Sequence, residues 1–149
     1  MLKQQLRSDL NNAMKEKNST KVGTIRLLLS SIQYFEIQKE RDYQATDEEI
    51  MNLIQKEVKK RRESIEMYEK GNRDDLVKKE TEELDILTGY LPKQMDEEEI
   101  KSIVQQAIQK TNASSMADMG KVMGEVMAKL KGKADGSVVN RIVREELTN

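Results

Sequence analysis

The chain of 149 residues contains no histidine, no cysteine and no tryptophan. Without an imidazole or a thiol, the common Ser-His and Cys-His nucleophiles cannot be assembled, and the side chains that zinc prefers are missing. Without cysteine there is no disulfide framework, which suits a reducing compartment. A single proline and five aromatic side chains, four tyrosines and one phenylalanine, leave little material for a sandwich or a barrel. Those folds need frequent turn residues and β-branched or aromatic runs. Neither charge sign is in excess: 26 basic and 27 acidic residues give a net charge of −1, so any nucleic-acid contact must come from a local patch. The run Leu27-Leu28-Leu29 falls far short of a membrane span. The start, Met1 to Arg7, is amphipathic and charged, without the apolar stretch of a secretory signal. These features predict a soluble, cytoplasmic protein with no membrane partner.

What remains is a series of helical stripes separated by caps. Leu2, Leu6, Leu10, Ala13 and Met14 share one face, and Asn18-Ser19-Thr20 then reads as a turn and cap. Val22, Ile25, Leu28, Leu29, Ile32 and Phe35 predict a central helix from about residue 20 to 41. Thr46 to Glu49 forms a capping box for a third helix carrying Ile50, Ile54, Val58, Ile65 and Tyr68, which Gly71-Asn72 ends, the glycine suited to a left-handed C-cap and the asparagine to the next N-cap. Leu76, Leu84 and Leu87 mark a fourth helix, ending near Gly89.

The proline stands in Tyr90-Leu-Pro-Lys-Gln-Met95, and Asp96 to Glu99 follows as a second capping box. A domain boundary is placed here, giving an N-terminal helical domain over 1–92 and a three-helix module over 93–149. The module's stripes are Ile100, Ile103, Val104, Ala107 and Ile108; Met119, Val122, Met123, Val126 and Leu130; and Val139, Ile142, Val143 and Leu147. Ser115 to Asp118 caps the middle one. The predicted fold class is all-α.

Metal chemistry has only carboxylates to draw on. The clusters Asp47-Glu48-Glu49 and Asp96 to Glu99 sit at helix starts, where negative charge favours the helix dipole, and neither matches a calcium loop. No metal site, no cofactor and no catalytic residue is expected. Ser30-Ser31 lacks an activating base and fits a helix crossing. Glu36 falls in line with Ile25, Leu29 and Ile32, and Arg61 within the line of Ile54, Val58 and Ile65. Charges on apolar faces are costly unless paired, which predicts that the two pair with each other or with a neighbour such as Glu57 or Asp85.

Two basic stretches are candidates for RNA. Lys56 to Arg62 reads first as a solvated helix face, with nucleic acid as the secondary reading. From Lys121 to Arg144 six cations (Lys121, Lys129, Lys131, Lys133, Arg141 and Arg144) face only Glu125 and Asp135, which reads equally as a solvated basic turn or as a binding site. Three of the lysines crowd a turn that holds Gly132 and Gly136, and the amides of the following helix start suit phosphate. The spacing is not that of a Walker loop. No aromatic residue in the module could stack on bases, so RNA contact there would read shape and backbone. Gly120, Gly124 and Ala128 form a small-residue strip suited to close helix packing, with ligand contact as the alternative.

These residues carry a resemblance. Asp118 to Met127, Lys131-Gly-Lys-Ala-Asp-Gly136 and Val139 to Leu147 resemble the C-terminal tail of the B subunit of tRNA-dependent amidotransferases. With Thr24-Ile-Arg-Leu-Leu28, Tyr68 to Leu76 and Tyr90-Leu-Pro-Lys-Gln94, the whole chain resembles the YqeY-like family. The resemblance implies a helical domain joined to a module that holds tRNA in the larger enzyme, without that enzyme's ATP-using and amidase domains. Three functions follow as expectations: an accessory protein that binds tRNA or structured RNA and is not catalytic alone, a component of a glutamine-dependent carbon–nitrogen ligase complex with amidotransferase-type partners, or a protein-interaction adaptor.

Overall fold

The computed structural model describes residues 1–148, and every regular element among them is a helix. The fold is all-α. Seven α-helices follow in order: α1 (Leu2–Lys15), α2 (Ser19–Lys39), α3 (Asp47–Lys70), α4 (Asp74–Thr88), α5 (Glu97–Thr111), α6 (Met119–Leu130) and α7 (Gly136–Thr148). A short 3-10 turn, Met116–Asp118, precedes α6. The chain divides into two compact units, Met1–Leu91 and the remainder from Pro92.

Local chemistry sets most helix starts. Thr46 Oγ1 accepts the Glu49 N–H at 3.2 Å, and the Glu49 carboxylate accepts the Thr46 N–H at 2.9 Å. Asp96 and Glu99 repeat this exchange at the start of α5, at 2.8 and 3.0 Å. Asn18 caps α2 by accepting the Lys21 N–H at 3.2 Å. Each such cap satisfies amides that the first turn leaves without partners and contributes about 1 kcal/mol. The end of α3 differs from the sequence expectation. Gly71 has ordinary backbone (φ −87°), and Asn72 takes the left-handed conformation (φ 55°). Asparagine tolerates that region because its short polar side chain can bond locally.

In the first unit α2 and α3 each pack against the other three helices, so the expected central helix α2 shares the centre with α3. Ile25, Leu28 and Ile32 of α2 meet Ile50, Ile54 and Val58 of α3, with Leu6 and Leu87 completing the buried cluster. Tyr90 closes the unit after α4. Its ring packs on this cluster, and its hydroxyl donates to Asp9 Oδ2 at 2.6 Å. Burial, and then that bond to a carboxylate, push the phenol well above its ordinary pKa.

The second unit has its own core. Ile100, Val104 and Ala107 of α5, Val122, Val126 and Leu130 of α6, and Val139, Ile142, Val143 and Leu147 of α7 form one buried cluster with Ala134. Among the described residues no helix is long and apolar enough to cross a membrane.

Because each unit buries a separate cluster, a core truncation should act on its own unit. Leu130, fully buried, should cost about 2–5 kcal/mol when replaced by alanine. In a small unit with little surplus stability that loss is large. Hydrogen exchange of Leu130→Ala should show lost protection across α5, α6 and α7 while amides of α2 and α3 stay protected. Equal loss in both units would contradict the separation of cores.

Candidate nucleic-acid interface

The site is built around the reversal from α6 into α7. Helix α6 stops at Leu130, and Lys131 already departs from helical backbone (φ 19°). Gly132 follows at φ 80°, a left-handed conformation that a residue with a Cβ rarely takes. The Lys133 N–H then donates to the Leu130 carbonyl at 2.7 Å. The segment after the proline clasps this turn from outside. Met95 N–H donates to the Lys133 carbonyl at 2.9 Å. Gln94 Nε2 donates to the carbonyls of Gly132 at 2.9 Å and Pro92 at 2.8 Å. These bonds supply partners for carbonyls that a tight reversal leaves open.

The clasp has an electrostatic consequence that the linear sequence hides. Lys93 adjoins Gln94, so it is carried to the turn that already holds Lys129, Lys131 and Lys133. All four are exposed, and among the described residues none has an ion pair. Acids nearby are largely engaged. Asp96 and Glu99 cap α5. Asp135 Oδ1 accepts from the Ser137 N–H and hydroxyl, both at 2.8 Å. That last contact corrects the expectation of open amides at the start of α7, because a carboxylate already stands where an anion would bind.

The other sequence candidates separate from this cluster. Lys121 is exposed about 12 Å along α6 from Lys129. Arg144 is exposed near the end of α7. Arg141 is spent: its guanidinium pairs with Glu145 at 3.1 Å and with Glu97 of α5, and these carboxylates hold its pKa above the ordinary value. Glu125 pairs with Lys110 at 3.3 Å.

Gly120 and Gly124 do not pack against a helix. Both are exposed, and a Cβ added at either would meet nothing within 4 Å. The reason is angular. Gly120, Gly124 and Ala128 each stand two residues before a buried one (Val122, Val126, Leu130), about 200° around the helix. Gly136 opens α7, again with open space at its Cα.

In the first unit the two charges on apolar faces have partners other than those the sequence suggested. Glu36 is buried, and its carboxylate takes the Lys3 ammonium at 2.7 and 2.8 Å and the Ala45 N–H at 2.8 Å. Burial pushes this carboxyl up, but the Ala45 amide and the Lys3 ammonium outweigh it and bring its pKa below the ordinary value. Arg61 reaches across to α4, pairing with Glu80 at 3.1 Å and with Glu83. In the run from Lys56 to Arg62, Lys60 pairs with Glu57 at 3.5 Å, while Lys56, Lys59 and Arg62 are exposed. No group of three or more carboxylates among the described residues is arranged to hold a metal ion.

Comparison with known proteins places these features in a family. The family described as Yqey-like protein matches residues 3–147. Altered inheritance of mitochondria protein 41, mitochondrial, of Pyrenophora tritici-repentis is 37% identical over 107 residues, covering 70% of this chain and 58% of that protein. The protein of the same name from Eremothecium gossypii is 41% identical over 86 residues, 58% of this chain and 46% of that one. An uncharacterized protein of Schizosaccharomyces pombe is 31% identical over 87 residues, covering 58% and 69%. The chain thus spans about half the length of the two mitochondrial relatives. Their names overturn the expectation of a cytoplasmic protein. Absence of cysteine speaks only to redox exposure, and absence of an apolar signal stretch only to secretion; neither separates cytosol from mitochondrion.

Three substitutions test this geometry. Gly132→Ala should destabilise the second unit by about 1–2 kcal/mol, because alanine must enter left-handed backbone. Gly136→Ala, in open helical backbone, should be neutral or stabilising; denaturant unfolding distinguishes them. Glu36→Gln should cost the first unit about 1–3 kcal/mol at pH 7. A carboxyl whose folded pKa is lowered stabilises above its unfolded value of 4.5, and this contribution disappears as pH falls through the folded value. The gap between parent and Glu36→Gln should therefore close below about pH 4.5. A gap that persists unchanged at pH 2 would show that the charge on Glu36 is not what stabilises.

Proposed function

This chain belongs to the Yqey-like protein family, and on that premise we propose that it is an accessory protein that binds structured RNA, tRNA included, through its second unit. The observation that carries the reading is the set of four exposed lysines, Lys93, Lys129, Lys131 and Lys133, gathered at one turn without ion-pair partners among the described residues. Ammonium groups on flexible stems suit phosphate oxygens and carry no sequence preference of their own. The second unit holds no aromatic side chain, so base stacking plays no part. The open face of α6 at Gly120, Gly124 and Ala128 has no bulk to hold a sugar–phosphate backbone away, and Lys121 borders it. We assign no bond-making step to residues of this chain.

The test is binding of purified chain to total tRNA across a salt series. Affinity should fall linearly on a log–log plot against salt. Lys131→Glu combined with Lys133→Glu should weaken binding at every salt concentration and reduce the slope by about 2, roughly one unit for each phosphate contact removed. A double variant that binds as tightly as the parent, with the same slope, would remove the turn from the interface. A parent chain with no salt-dependent binding would remove the function.

A further inference from the structure

A second concentration of positive charge lies in the first unit, unrelated to the lysine turn. A cleft between α1 and α2, bounded at one end by the connection from α2 to α3, is lined by Arg7, Arg26, Ser30, Gln33 and Gln44, with Lys3 and Glu36 beneath them. The charges here divide into a satisfied pair and an unsatisfied pair. The Lys3 ammonium gives hydrogens to both Glu36 oxygens at 2.7 and 2.8 Å and to Gln44 Oε1 at 3.2 Å. An ammonium has three donors, so Lys3 is fully used and its charge is cancelled by Glu36.

Arg7 and Arg26 are left. Both are exposed, come from different helices and have no ion pair among the described residues. The hydrogen-bond contact of Arg26 is the Met14 sulfur at 3.9 Å, a weak acceptor. The polar groups around them add donors. Ser30 offers a hydroxyl and Gln33 an amide. Gln44 has committed its oxygen to Lys3 and keeps its amide nitrogen for donation. The cleft is therefore rich in donors, and its lining keeps an excess of positive charge, three cations against the single Glu36 carboxylate, which attracts Arg7 as well as Lys3.

Such a lining calls for an oxyanion. A single guanidinium fork satisfies the two coplanar oxygens of a carboxylate. Two guanidiniums arriving from separate helices, with a hydroxyl beside them, supply donors from several directions, as the tetrahedral oxygens of a phosphoryl group require. No aromatic side chain lines the cleft, so nothing there reads a base by stacking. We propose that this cleft binds a phosphorylated small molecule, held through its phosphoryl group by Arg7 and Arg26 with Ser30, Gln33 and Gln44 as neutral donors. The site stands whether or not the second unit binds RNA, because it shares no residue with the lysine turn.

The experiment titrates the isotope-labelled full chain with pyrophosphate, following backbone amide shifts against matched sodium chloride. Saturable shifts should centre on the residues flanking Arg7, Arg26 and Gln44. Arg7→Gln with Arg26→Gln should weaken binding at least tenfold. Arg26→Lys, which keeps the charge but loses the fork, should weaken it measurably and guards against loss of fold in the double variant. Lys131→Glu with Lys133→Glu should leave pyrophosphate affinity unchanged. Four results overturn the proposal: no saturable shift beyond the chloride control; equal affinity in a folded Arg7→Gln, Arg26→Gln variant; loss of binding on the lysine-turn substitutions; or citrate bound as tightly as pyrophosphate, which would make the cleft a carboxylate site.

Discussion

The left-handed backbone at Gly132 is the constraint on which the second unit depends. It lets α6 reverse into α7 within five residues, so that Leu130 and Val139 enter the same core. The reversal also turns the carbonyls of Gly132 and Lys133 outward, where Gln94 and Met95 bond to them. One conformational requirement thus fixes the helix pairing, the course of the chain after Pro92 and the positions of the lysines. The proposed interface is a by-product of how the turn closes: a tight reversal leaves no room to bury lysines at positions 131 and 133, and the clasp adds a fourth at 93.

A net charge near zero conceals an uneven distribution. Many acids and bases are consumed within the fold, Glu36 with Lys3, Arg61 with Glu80 and Glu83, Arg141 with Glu97 and Glu145. The buried pairs are held by geometry; separating either partner would leave an ion with poor solvation. Among the cations these pairs do not consume, four lysines meet at the α6–α7 turn and two arginines in the α1–α2 cleft, while others, Lys56, Lys59, Arg62, Lys121 and Arg144 among them, stand exposed along their helices.

Short-range features were readable in the sequence. The boxes at Thr46–Glu49 and Asp96–Glu99 depend on residues three apart, and the stripes of α2, α3 and α6 on spacings within one helix. What could not be read was long-range or angular. Arg61 finds its partners about twenty residues on, in a helix whose packing the stripe does not specify. Arg141 is grouped with the free cations although Glu145 stands one turn on in the same helix; only the second partner, Glu97, needs α5 to be brought against it. Lys93 stands alone until the clasp carries it to the turn. The small-residue strip on α6 suggests packing by composition, yet the valines and leucine two positions away claim the core and turn the glycines outward. At the end of α3 both Gly71 and Asn72 could adopt the left-handed conformation, and propensity favours the wrong one. Compartment was least readable, because cysteine content and an amphipathic start do not choose between cytosol and mitochondrion.

The most direct measurement of the central claim is the map of backbone amide shifts when the labelled chain is titrated with tRNA at moderate salt. The account predicts the largest changes at residues 93–95 and 129–135, extending along the open face of α6. Changes centred on α3, or spread evenly over both units with none concentrated at the Gly132 turn, would contradict it.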